Sequence, residues 1–205
     1  MGIHCTNLSG RRLRMEPLTR AHAEGLAREM DIACFAFMRE QPTESHSVAA
    51  AEAYIDSLHQ VRNAVPFAAV EVEPADHLVN GARAPLPVAV SLYADIRPEH
   101  RGLEIGYTWI APSRRGGFVN TEMKLLLLRH AFETLGMMRV MLKTDVRNTR
   151  SQAAIAKLGA KREGVLRKHQ LMPDGHIRDT VVFSITDDEW PAVKAGLIER
   201  LGYEP

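Results

Sequence analysis

The alternation of apolar and polar positions divides the chain into a run of strands and helices. In RRLRMEPL (11–18), Leu13, Met15 and Leu18 stand against charged neighbours and predict a short opening strand. Thr19 then offers a cap for a helix running through Leu26 towards Met30, and Pro42 interrupts the chain. Ser47 can cap a second helix, in which Ala51, Tyr54, Ile55, Leu58 and Val61 recur at three and four residues and form one apolar face. Strand alternation returns at 66–73 and 87–96, with Asn80-Gly81 and Pro85 marking a turn and loop between them. GLEIGYTWI (102–110) reads as a further strand, and Gly106 inside it signals a bulge or a close backbone approach.

Leu125, Leu128, Phe132 and Leu135 share one face of a helix over 120–135, with Gly136 placed as its left-handed stop. RVMLKTD (139–145) predicts a strand and TRSQAAIAKLG (149–159) a helix ending at Gly159. EGVLRKHQLM and IRDTVVFSI form a hairpin around Pro173, Asp174 and Gly175, and a last helix covers 187–201. No internal repeat, low-complexity tract or linker separates the halves, so a single mixed α+β domain over 1–205 is the expectation.

Composition narrows the function classes. At 205 residues, folding should bury about 70% of the surface the unfolded chain exposes, so no disulfide or metal staple is needed for a core. The net charge of +1, from 26 basic and 25 acidic residues, argues against a polyanion as partner, and no direct nucleic-acid binding is expected. Cys5 and Cys34 show no CxxC spacing, which fits a reducing, cytoplasmic setting, and the nine histidines form no HxH or HExxH group, so no metal is expected. The apolar run at 125–128 is broken by Arg129 and His130, too short to span a membrane. Gly2 with Thr6 fits a loose lipidation pattern and Arg11-Arg12 a twin-arginine start, but the LRMEPL that follows is no apolar signal core.

Chemistry concentrates in IAPSRRGGFVNTEMK (110–124), which joins a strand to a helix through two arginines and two glycines. Free N–H groups at a helix start favour a phosphate, Gly116 and Gly117 admit close backbone approach, and Arg114 and Arg115 add charge. The pattern is neither GxGxxG nor GxxxxGK[ST], which disfavours dinucleotide and P-loop sites. A solvated turn with a capped helix behind it is the alternative on spacing alone.

Five stretches in this order resemble the GCN5-related N-acetyltransferases (GNAT), and within them the RimJ/RimL-type branch associated with N-terminal acetylation of ribosomal proteins. They are LEIGYTWIAP (103–112), RRGGFVNTEMKLLLLRHAFETLG (114–136), RVMLKTDVRNTRSQAAIAKLGAKREGVLR (139–167), RDT (178–180) and DDEW (187–190). The resemblance implies a mixed, mostly antiparallel twisted sheet flanked by helices, with strands 102–110 and 139–145 splayed as a V that admits acetyl-CoA. It implies pantetheine pairing along Trp109 and Ile110 and a pyrophosphate on the loop from Arg114 to Thr121, including Val119. The loop departs from the family pattern R/Q-x-x-G-x-G/A. Asn120 stands where a glycine is expected, and its tolerance of the left-handed region and capping power let it replace that glycine while the helix starts at Thr121.

Asn148 and Ser151 resemble the family's NxxS stretch, which implies an Asn steadying the cofactor and a Ser hydroxyl near the CoA sulfur as general acid. On sequence alone they also read as N-cap and third residue of the next helix. Lys157 and Arg150 read as helix surface charges or contacts to the adenosine 3′-phosphate. Direct acetyl transfer needs a neutral amine, an oxyanion donor and a proton for the thiolate, and no cysteine nucleophile. Glu104 precedes the bulge where many relatives keep a water-linked carboxylate, so the resemblance implies it as the base, with a carboxylate paired with an arginine as its structural alternative, while Gln170 cannot act as a base and Tyr107 reads as a packing aromatic. The acceptor expected is a peptide or protein N-terminal amine. A small amine, or a catalytically idle acyl-CoA-binding module, are the rival readings, and a monomer or homodimer is expected.

Overall fold

The structure, a computed structural model, describes residues 3, 6–72, 78, 79, 82, 83 and 86–204. Gly2, Cys5 and the Asn80-Gly81 turn with Pro85 lie outside the described residues.

The first half of the chain builds β1 (Leu8–Ser9), β2 (Leu13–Pro17), α1 (Ala23–Ala27), α2 (Val48–His59), β3 (Val65–Glu71), the small hairpin β4 (Leu78–Val79) and β5 (Ala82–Arg83), β6 (Pro87–Arg97) and β7 (Gly102–Ile110). The second half supplies α3 (Val119–Arg129), β8 (Arg139–Asp145), α4 (Thr149–Lys157), β9 (Lys161–Leu171), β10 (Ile177–Thr186) and α5 (Trp190–Leu201). Ser47 caps α2 through its hydroxyl, which accepts from the Ala50 N–H at 3.2 Å. The first helix is shorter than its sequence suggests. It is preceded by a 3-10 turn at Arg20–His22, where the Thr19 N–H donates to the His22 ring. The helix predicted over 120–135 is α3 followed by one π-turn, His130–Thr134, and Gly136 ends it at φ +63°.

Eight strands form one sheet in the order β1-β2-β3-β6-β7-β8-β10-β9. All neighbours run antiparallel except β7 and β8, which are parallel and pair only from Gly102↔Arg139 to Glu104↔Met141. Beyond that point the two central strands part and leave a V open towards Ile110 and Asp145.

The expected bulge is present, with its strain one residue along. Val90 faces Trp109 and Leu92 faces Gly106, so Tyr107 and Thr108 together oppose Ser91, and it is Tyr107 that takes a positive φ of 53°. The extra residue switches which face of the sheet β7 presents. Leu103 and Ile105 pack in the core with α3, whereas Trp109 packs on the opposite face with Phe35, Tyr54 and the helices α1 and α2. The core is thus two layers separated by the sheet, and the bulge lies where the strand changes sides.

Candidate functional site

A cleft of about 660 Å³ opens where β7 and β8 part. Its walls are β7 from Glu104 to Ile110 and β8 from Leu142 to Thr144. The 114–117 loop, the first turn of α3 and α4 line one end, and Phe37, Glu40 and Arg178 line the other.

The loop differs in detail from the sequence reading. Gly116, not Asn120, adopts the left-handed conformation, with φ +79° and open space around its would-be Cβ, so the demand there is conformational alone. The helix starts at Val119, with Phe118 at the N-cap and no side chain capping it. Val119 is fully buried, and anchoring it in the core places the helix start ahead of Asn120, which therefore lies within the first turn and neither caps nor replaces a glycine. The first N–H groups of α3 have no intrahelical acceptor and no side-chain cap, while Asn120 and Thr121 line the cleft beside them. That is a donor set matched to an anion. Of the arginines, Arg114 is committed to Glu71 on β3, with Nε and Nη2 donating at 2.9 and 3.1 Å, and Arg115 Nε donates to the Ile110 carbonyl at 3.1 Å. Trp109 contributes backbone to the cleft, since its ring is buried against Phe35. Arg150, Lys157 and Arg200 also line the cleft and add positive charge to it.

Glu104 is the last residue paired across the joint between β7 and β8 and lies on the cleft wall. Its Oε2 accepts from Lys143 Nζ on β8 at 2.8 Å, and its side chain is 13% exposed, so the carboxylate is held by a lysine yet open to the cleft. On α4, Asn148 Oδ1 accepts from the Ser151 N–H at 3.0 Å and caps the helix, while both residues line the cleft. The Ser151 hydroxyl makes no hydrogen bond among the described residues.

Lys124 escaped the sequence reading. It is 4% exposed, and its Nζ donates to Thr108 Oγ1 at 2.7 Å and Ser91 Oγ at 3.3 Å. Those two hydroxyls are 2.9 Å apart, and the Ser91 hydroxyl is within 3.2 Å of the Gly106 carbonyl. The lysine thereby pins the bulge from beneath, opposing the roughly 1–3 kcal/mol that a left-handed Tyr107 costs. Burial pushes its amine down to about 7, against the pull of the Glu104 carboxylate. A lysine amid Leu and Met resembles a surface interruption, but a spacing of three and four from Thr121 and Asn120 puts it on their face of the helix. Tyr107 also lines the cleft, its hydroxyl pushed up to about 12 by burial and then by the Glu40 and Glu104 carboxylates.

Among the described residues no group of three His, Cys, Asp or Glu side chains could hold a metal ion, and no helix is long and apolar enough to cross a membrane.

Residues 12–161 match the family described as acetyltransferase (GNAT) domain. A curated relative from Bacillus subtilis (strain 168), the candidate ribosomal N-acetyltransferase YdaF, is 35% identical over 95 residues, 46% of this chain and 51% of its own length. The chain spans about half the length of the curated relatives it matches. Among solved structures, a candidate acetyltransferase from T. thermophilus is 37% identical with a TM-score of 0.84, covering 98% of this chain and 100% of that one. Mycobacterium smegmatis RimJ, solved in complex with CoA-disulfide, has the same fold at a TM-score of 0.69 and 22% identity, with 97% and 94% covered.

Proposed function

From its membership of the GNAT acetyltransferases, the family to which this chain belongs, we propose that the protein transfers an acetyl group from acetyl-CoA to the N-terminal α-amine of a peptide or protein, as one catalytic domain in a reducing, cytoplasmic setting. The observation that carries this reading is a juxtaposition. The parting of β7 and β8 opens backbone edges beside the uncapped start of α3, and the Glu104 carboxylate stands at the vertex.

The cleft fits acetyl-CoA, which would supply an activated thioester. The N–H groups of the α3 start and the 116–117 backbone would hold its pyrophosphate, and the unpaired edge of β7 beyond the bulge would take pantetheine as a further strand takes its neighbour. Arg115 already donates to the Ile110 carbonyl, whose oxygen it would share with any pantetheine donor. Glu104 would accept the proton of the incoming amine, directly or through one water, with Lys143 fixing its direction. Ser151, its hydroxyl unengaged and its backbone fixed by the Asn148 cap, would deliver a proton to the leaving sulfur. The YdaF relative, by name a candidate ribosomal N-acetyltransferase, supports a protein acceptor.

A screen of peptide N-termini and small amines with acetyl-CoA, followed by thiol release, tests the reading. Peptide acetylation is expected, with Glu104→Gln lowering kcat by about 10²–10⁴-fold at unchanged CoA affinity and the loss shrinking at high pH, where free amine accumulates. Turnover of small amines alone would replace the peptide reading, and equal activity of wild type and Glu104→Gln at every pH would remove Glu104 from the reaction.

A further inference from the structure

On the wall of the cleft, Arg178 near the start of β10 is a cation with no carboxylate bonded to it among the described residues. Its Nη1 donates to the Phe37 carbonyl at a long 3.4 Å, its Nε is buried with no acceptor, and it forms no salt bridge among the described residues. The carboxylates that act on it most, Asp145 and then Glu104, are each hydrogen-bonded to another cation. Asp145 holds Arg147 through both oxygens, at 3.0 and 2.7 Å, and Glu104 holds Lys143 at 2.8 Å. Both therefore favour the guanidinium charge only at longer range, and Glu40, which also lines the cleft, makes no salt bridge with it. The effect of that charge reaches the neighbouring His169, also on the cleft wall, whose ring is held below its ordinary range by burial, then by Lys143 and Arg178. Burial likewise works against the charge of Arg178 itself.

A guanidinium has five donors in a fixed fork, and leaving them desolvated and unpaired is costly. Concave surface and unspent donors together define a place for a ligand's acceptor oxygens, and a guanidinium with no carboxylate bonded to it favours an anionic one. We propose that Arg178 is the acceptor-recognition group of this cleft, binding a carboxylate carried close to the amine that is acetylated. The inference rests on the acetyl-transfer reading above. A carboxylate on Arg178 would hold the acceptor in the cleft with its amine towards Glu104, and the same positive charge disfavours the ammonium form of that amine, which must be neutral to react. The carboxylate has two sources: an acidic side chain next to a peptide's terminus, or the free α-carboxylate of an amino acid.

The test compares matched acceptors by thiol release, with wild type, Arg178→Met and Arg178→Lys. One arm uses C-terminally amidated peptides differing only as Glu or Gln at the second residue, and the other uses free amino acids against their amides. In at least one arm the carboxylate form is expected to have a kcat/KM about 10- to 100-fold higher in wild type, through KM, as a charged hydrogen bond implies. Arg178→Met should erase that advantage, Arg178→Lys should keep part of it, and CoA affinity by calorimetry should not move. The arm that shows the advantage identifies the source. Equal use of acid and neutral isostere in both arms, or a preference that survives in Arg178→Met, would overturn the proposal. If no acceptor releases thiol, the acetyl-transfer reading falls. Calorimetric binding of the Glu peptide and of free glutamate to CoA-loaded wild type and Arg178→Met then decides Arg178 separately: loss of binding in the variant upholds the subsite, and equal binding or none to wild type rejects it.

Discussion

At Lys124 Nζ, two hydroxyl oxygens stand in for a hydration shell. Its amine titrates near 7 in the folded chain against an ordinary 10.5, so between those values the unfolded chain holds a proton that the folded chain lacks. Stability therefore rises with pH from about 7 to about 10.5, and below 7 the whole penalty is present. Lys124→Met removes the buried charge and leaves Ser91 and Thr108 to bond each other. Denaturant melts at pH 6, 8 and 9.5 are expected to show the variant about 1–3 kcal/mol more stable at pH 6, with a flatter profile, and less active because the bulge loses its support. A variant less stable than wild type at pH 6 would contradict this account. Glu104, Asn148 and Ser151 stood out in the sequence because each lies in one segment at a position to which the family resemblance attaches a role. Lys124, Lys143 and Arg178 acquire theirs only from partners 16 to 141 positions away, as for Lys124 with Thr108 and Arg178 with Phe37.

Periodicity made the helices and most strands readable, while their exact ends followed tertiary contacts. Asn120 is the clearest case: as a cap or left-handed residue, its replacement by Val would cost about 1–3 kcal/mol. Inside the first turn of α3 it should cost no more than about 0.5 kcal/mol, and thermal melts of Asn120→Val distinguish the two. The other side of α3 is tied to the N-terminal hairpin through Glu122, fully buried, whose Oε1 accepts from the Arg11 and Arg12 N–H groups at 2.8 and 3.0 Å. Gly10 fits under that carboxylate because it has no Cβ; one would lie 2.5 Å from Oε1 and 2.9 Å from the Leu13 carbonyl. Gly10→Ala is accordingly expected to lower stability by about 1–3 kcal/mol, read as a fall in Tm, since backbone and a carboxylate already engaged must both yield. Gly106 flagged the bulge in β7, but no local signal moves the positive φ to Tyr107. That is settled by Ser91, Thr108 and Lys124 from three elements.

Over the whole molecule, strand order and the parting of the sheet were legible only through family resemblance, because which strands become neighbours is a long-range property. The parted sheet consists of two sections, β1-β2-β3-β6-β7 and β8-β10-β9, joined along the sheet by three residue pairs. A ligand spanning the V contacts both, so CoA at 100 times its Kd should raise the unfolding free energy by about 2.7 kcal/mol, with the largest gain in amide protection along residues 105–110 and 142–145. The joint also acts as a lever. Six residues of β7 beyond Glu104, at about 3.3 Å each, form an arm of about 20 Å, so every degree of tilt at residues 102–104 displaces its tip by about 0.3 Å. Misplacement of reacting groups by 1 Å can cost about 10²-fold in rate. Leu103 and Val140, which face each other across that joint and are fully buried, therefore act on catalysis as machinists of alignment, setting the span between the two reactants although neither lines the cleft.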